Sequence, residues 1–120
     1  MQQSLEINLG GKNRTFTFGI LFLANALERS EFEDYNDMLL KLSKNPFKYA
    51  PIMMYESLVN TYKKNKQDID FTETEIQDWL DEDYADGMNV MLLFINVFMG
   101  NTENKTPIED NKNAKGSKKK

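Results

Sequence analysis

Leu5-Glu6-Ile7-Asn8-Leu9-Gly10-Gly11-Lys12-Asn13-Arg14-Thr15-Phe16-Thr17-Phe18 decides how this fold begins. Leu5, Ile7 and Leu9 alternate with Glu6 and Asn8, and Phe16 and Phe18 alternate with Thr15 and Thr17. Period two with β-branched and aromatic residues is the pattern of strands with one buried face. The glycine pair between the runs supplies positive φ at little cost, so the segment predicts a β-hairpin. A phosphate loop does not fit, because no helix follows the glycines directly and no Lys-Ser/Thr motif is present.

Downstream the period changes. After Gly19, the run Ile20 to Arg29 has apolar residues at 20, 23, 24 and 27, a helix face that Leu21 and Phe22 widen. This predicts a largely buried helix against which the hairpin packs. Tyr35, Met38, Leu39 and Leu42 predict a second helix from Asp34, its N-cap, ending at Asn45-Pro46. Phe47 to Ala50 reads as a short turn or a single helical turn, and Pro51 as the first residue of a helix running to about Lys64. Thr72-Glu73-Thr74-Glu75 matches a capping box ahead of Ile76, Trp79 and Leu80. A last helix runs from Tyr84 to Met99, with Gly100 as its stop.

The fold class expected is therefore α+β and mainly helical. Residues 1–100 form one domain, an N-terminal hairpin followed by four or five helices. Residues 101–120, rich in Lys and Asn and interrupted by Pro107, form a disordered tail. No internal repeat is evident.

Composition narrows the chemistry. The 120 residues are 40% hydrophobic and 28% charged, with no Cys and no His. Thiol nucleophiles, Cys-ligated metals and every Ser–His or Cys–His arrangement are excluded. The acidic stretch Asp68 to Asp86 fails the calcium-loop pattern in both possible registers: counting from Asp68 or from Asp81, Glu73 or Asp86 stands where Gly is required. Asp81, Glu82 and Asp83 read as a hydrated turn, not an acid–base pair. The expectation is no catalytic residue, no cofactor and no metal. Net charge is -4, and the first hundred residues are the acidic part, which does not suit nucleic acid. The longest apolar run, Val90 to Met99, is shorter than the roughly 20 residues of a membrane span, and no signal-peptide pattern opens the chain. An intracellular location is expected.

The last helix carries the sharpest expectation. Val90, Leu93 and Val97 form one stripe; Met91, Phe94, Ile95 and Phe98 form another. A small domain rarely covers both, so Met91, Phe94, Ile95 and Phe98 are the predicted partner-binding surface, for another protein or for self-association.

Two segments also carry a resemblance. Leu5-Glu6-Ile7-Asn8-Leu9-Gly10-Gly11-Lys12 with Phe16-Thr17-Phe18-Gly19 and the following helix is one. Phe71-Thr72-Glu73-Thr74-Glu75-Ile76-Gln77-Asp78-Trp79-Leu80-Asp81-Glu82 leading into an apolar helix is the other. Together, over roughly residues 4–100, the chain resembles the tail assembly chaperones of long-tailed bacteriophages. The resemblance implies a non-enzymatic protein of the bacterial host cytoplasm, absent from the mature virion. Its partners would be the tape measure protein, whose hydrophobic helices it keeps soluble, and the tail tube protein. It also implies a longer form made by programmed frameshift, for which Lys118-Lys119-Lys120 is the candidate slip site. The alternative is a small structural or connector-type tail protein retained in the virion.

Overall fold

The computed structural model describes residues 4–100, the side chain of Tyr84 excepted. Strand β1 (Ser4–Leu9) pairs antiparallel with β2 (Lys12–Thr17), with Leu9 opposite Lys12 across the Gly10-Gly11 turn and Leu5 opposite Phe16. Five helices follow: α1 (Ile20–Leu27), α2 (Tyr35–Lys44), α3 (Pro46–Lys64), α4 (Glu73–Glu82) and α5 (Tyr84–Phe98). The α+β, mainly helical fold class is as expected. The predicted tail and the candidate slip site lie outside the described residues.

Local signals set the helix starts. The Asp34 carboxylate accepts from the Asp37 N–H at 2.8 Å and caps α2. At α4 both halves of the capping box form: Thr72 Oγ1 accepts from the Glu75 N–H at 3.1 Å, and the Thr72 N–H donates to Glu75 Oε1 at 2.9 Å. The proline reading needs correction. Pro46 takes the first helical position, and Pro51, expected there, lies inside α3. Residues 47–50 are thus helical, as one of the two readings had it, and they run on without a break into the rest of α3. Pro46 is compatible with a helix start, whereas Pro51 removes the donor that the Phe47 carbonyl would otherwise meet.

Helix α3 is the axle of the domain. Ala50 to Met54 and Ser57 to Tyr62 are all buried, so every side of the helix has a neighbour. The hairpin rests on it through one strand edge. The Thr17 N–H donates to Thr61 Oγ1 at 3.0 Å, Ser57 Oγ donates to the Thr17 carbonyl at 2.9 Å, and Asn60 Nδ2 donates to Thr17 Oγ1 at 3.1 Å. These bonds satisfy the outward backbone groups of Thr17 at the end of β2, where unpaired groups would be costly to bury.

The hairpin's apolar face is closed by α5 over most of its length, while α1 meets it as expected at one point, where Phe22 packs edge-on against Phe18 at 5.7 Å. Phe94 is fully buried, its ring 5.6 Å from Phe16 and 5.2 Å from Phe18. Phe98 lies against Phe18 and Phe22 at 6.1 and 5.8 Å. Helix α1 is also less covered than expected: Phe22 and Ala26 are buried, but Ile20 is 82% and Leu21 59% exposed.

Two arginines tie the elements together. Arg14 is buried on β2. Its Nε donates to the Leu9 carbonyl at 2.8 Å, and its Nη1 donates to Tyr62 Oη at 3.0 Å and Asp70 Oδ1 at 3.1 Å. The guanidinium lies 4.6 Å from the centre of the Trp79 ring. That ring sits on the hairpin turn, where Gly10 has φ +66 and a Cβ would come within 2.5 Å of it. Hydrogen bonds from Lys12 and then Arg14 hold the Asp70 carboxyl at about 2, below its ordinary value. Arg29, beyond the end of α1, reaches Glu56 on α3 at 3.0 Å and forks onto Glu73 on α4 at 3.0 Å, with Glu31 at 3.2 Å. Burial opposes its charge, but these carboxylates outweigh that and raise its pKa, while Arg29 in turn lowers that of Glu31.

Candidate partner-binding cleft

A cleft of about 300 Å³ opens where the start of α3, the end of α4 and α5 meet. Phe47, Lys48 and Pro51 line it from α3, Gln77, Leu80 and Asp81 from α4, and Met91 from α5. A second depression of about 220 Å³ shares Phe47, Leu80, Asp81 and Met91 and adds Met88. The two form one continuous surface because they share those walls.

Each wall has a local cause. Helix α3 starts at Pro46, which projects Phe47 from the first turn, and Phe47 is 46% exposed. One turn on, Pro51 presents a ring where another residue would have carried an N–H. Helices α4 and α5 follow each other almost directly, and Asp83 caps α5 through the Asp86 N–H at 3.3 Å. They close up because residue 87 is glycine: a Cβ there would overlap the Leu80 carbonyl oxygen. That approach sets Leu80 beside Met88 and Met91 at the floor.

The surface is apolar with a charged rim. Phe47, Pro51, Leu80, Met88 and Met91 supply the apolar part; Lys48 and Asp81 face it from opposite helices with opposite charge. Methionine side chains adapt to varied apolar shapes, so Met88 and Met91 suit a surface that receives another chain's side chains. Further along α5, Leu92, one turn beyond Met88, is 42% exposed, and Leu93 is 41% exposed.

The predicted partner-binding residues divide here. Met91 reaches the cleft. Phe94 and Ile95 are buried in the core, and Phe98 is half-buried against the hairpin and α1. Phe94 and Ile95 therefore do not face outward as expected, while Phe98 keeps part of its surface open. The hairpin's Phe16 and Phe18 need an apolar cover, and the Phe94–Phe98 stripe supplies it. The outward face of α5 carries Asn89, Leu92, Leu93 and Asn96 instead. Phe47, Pro51 and Leu80 were not singled out from the sequence as partner-facing. The signal present was Phe47 between two prolines, an aromatic that a helix start leaves uncovered.

No family model, curated protein or solved structure matches the chain.

Other surfaces are less suited to a ligand. A polar depression of about 310 Å³ beside the hairpin is lined by Lys12, Arg14, Thr61 and Tyr62 among others. Its cations are engaged, Lys12 with Asp70 at 2.8 Å and Arg14 as described above. Among the described residues no three carboxylates converge as a metal cage, and no helix is long and apolar enough to cross a membrane. The cleft therefore offers recognition of an apolar segment, with Lys48 and Asp81 placed to set its orientation.

Proposed function

We propose that this protein is a non-enzymatic phage tail assembly chaperone that binds apolar helical segments of the tape measure protein in the host cytoplasm, keeps them soluble and helps recruit tail tube subunits. The observation that supports this reading best is the methionine-floored cleft with Phe47 at its mouth, continued by exposed Leu92. An apolar strip of this kind, bounded by charge, fits a helix that lays its apolar residues into a groove. The resemblance of the hairpin and of the Phe71–Glu82 segment to such chaperones supplies the identity of the client. A longer frameshifted form sharing residues 1 to about 117 belongs to the same proposal.

Co-expression with the tape measure protein encoded in the same genome tests it. The wild-type chain should raise the soluble fraction of that client and co-purify with it. Phe47→Asp and Met88→Glu should abolish both while leaving the far-UV circular dichroism unchanged. A client equally insoluble with and without this chain overturns the proposal. So does detection of the chain at stoichiometric levels in purified virions, which would favour a retained tail component.

A further inference from the structure

Helices α4 and α5 carry no Lys or Arg, and the nearest basic residues before and after them in the chain are Lys66 and Lys105. Asp78, Asp81, Glu82, Asp83 and Asp86 lie around the junction of these two helices, all exposed. Elsewhere Asp70 meets Lys12 and Arg14, Asp37 meets Lys41, and Glu31, Glu56 and Glu73 meet Arg29. At the junction none of the five carboxylates forms an ion pair among the described residues. Lys48, across the cleft from Asp81, lies over the Tyr49 ring at 5.3 Å instead. From the junction an exposed face without charge runs along α5 toward its end, through Asn89, Leu92, Leu93 and Asn96.

The chain beyond α5 has the complementary charge. Residues 111–120 hold five Lys and no acid, and Glu103, Glu109 and Asp110 all come before them. Gly100, at φ +73, turns the chain off the end of α5. The lengths match. Asp86 lies about 21 Å back along α5 from Gly100, and the twelve residues from there to Lys112 span up to about 40 Å. Lys112, Lys115 and Lys118 to Lys120 therefore reach the junction, whereas Lys105, with about 17 Å of chain, does not. Ile108, the one large aliphatic in residues 101–120, comes within reach of Leu92 and Leu93. Glu109 and Asp110 then fall over a face that carries no charge of its own.

We propose that residues 108–120 dock on this chain's own α5, with Ile108 on Leu92 and Leu93 and the lysines from Lys112 onward on the carboxylates of the α4–α5 junction. Each exposed ion pair is weak alone. Five lysines on one short tether, at an effective concentration of about a millimolar, bind collectively. The docked segment covers Leu92 and the Asp81 rim, which belong to the surface of the cleft, so it shields the apolar floor until a client displaces it. The shielding rests on the cleft being the client site; the docking does not.

Amide chemical shifts of the full chain test this, wild type against a full-length variant carrying Lys112→Gln, Lys115→Gln, Lys118→Gln, Lys119→Gln and Lys120→Gln. At low salt residues 81–86 and 92–93 should differ between the two. At about 1 M salt, where screening acts within about 3 Å, the differences at 81–86 should vanish. Ile108→Asn should move residues 92 and 93. Nile red, a neutral probe of apolar surface, should bind the glutamine variant at least twofold more tightly than wild type at low salt. Identical shifts in wild type and the glutamine variant overturn the docking. So do differences that fade on dilution, which would place the lysines on a second copy, and differences centred on another acidic surface such as Glu33 and Asp34. Equal Nile red binding overturns the shielding. No client enters these measurements, so a failed co-expression sinks the chaperone reading separately from the docking.

Discussion

Replacing Arg14 with Met measures what holds the hairpin to the helices. The guanidinium donates to the buried Leu9 carbonyl and to Tyr62 Oη, and also to Asp70. Asp70 is 41% exposed, so that bond is screened and counts for little. The two buried bonds to a charged donor contribute about 1.5–3 kcal/mol each. Methionine recovers part of this. Its stem fills most of the space between Trp79 and Phe71, and removing a buried charge relieves its desolvation. The net loss expected is about 3 kcal/mol. For a domain near this size that lowers Tm by about 12–24 °C. Urea unfolding at pH 7, followed by Trp79 emission and far-UV circular dichroism, reads it directly. Arg14→Lys keeps the charge but loses the fork, and should still cost about 2 kcal/mol. A loss under about 1 kcal/mol for Arg14→Met would refute the reasoning, because desolvation relief would then cancel the bonds.

Other outcomes follow from the same structure. Phe94→Ala should cost about 3–5 kcal/mol in urea titrations, whereas Leu93→Ala should stay within about 0.5 kcal/mol; reversed values would mean α5 turns its other face inward. Gly10→Ala forces a side chain into a positive-φ position under Trp79, so it should destabilise by about 2 kcal/mol and shift Trp79 emission to longer wavelength. Thr72→Ala removes one half of the capping box and should cost about 1 kcal/mol by thermal melting. The Asp70 carboxyl has a lowered folded-state pKa, so its contribution is full above its ordinary value of 3.8 and is lost as pH falls toward about 2. Asp70→Asn should therefore flatten that part of the stability–pH curve while lowering stability at pH 7.

What the sequence reveals here depends on distance along the chain. The hairpin, the Asp34 cap and the Thr72–Glu75 box each rest on residues within a few positions of one another, and each forms. The docking of Thr17 on Ser57, Asn60 and Thr61 spans 40 to 44 positions, and the Arg14–Asp70 pair spans 56; no local period carries either. Apolar spacing identified α1 and α5 as helices without saying which stripe is covered. That depends on which element meets the hairpin, and α5 covers most of its face, whereas α1, its neighbour in sequence, touches it through Phe22 and leaves Ile20 and Leu21 exposed. Pro46 and Pro51 both suit a first helical turn, so spacing alone chose the wrong one. The cleft was illegible for the same reason: Phe47, Leu80 and Met88 come from three helices and converge only in the folded chain.

The closure of the hairpin by α5 bears on how the protein is made. Phe16 and Phe18 leave the ribosome early, yet the rings that shield them, Phe94 and Phe98, are about 80 residues behind. At about 5–20 residues per second that interval is roughly 4–16 s. During it the nascent chain can dock β2 on α3 but keeps an aromatic face bare. A stop codon placed anywhere before α5 should yield fragments that clump or are degraded, and slow codons late in the message should lower the yield of folded product more than slow codons early in it.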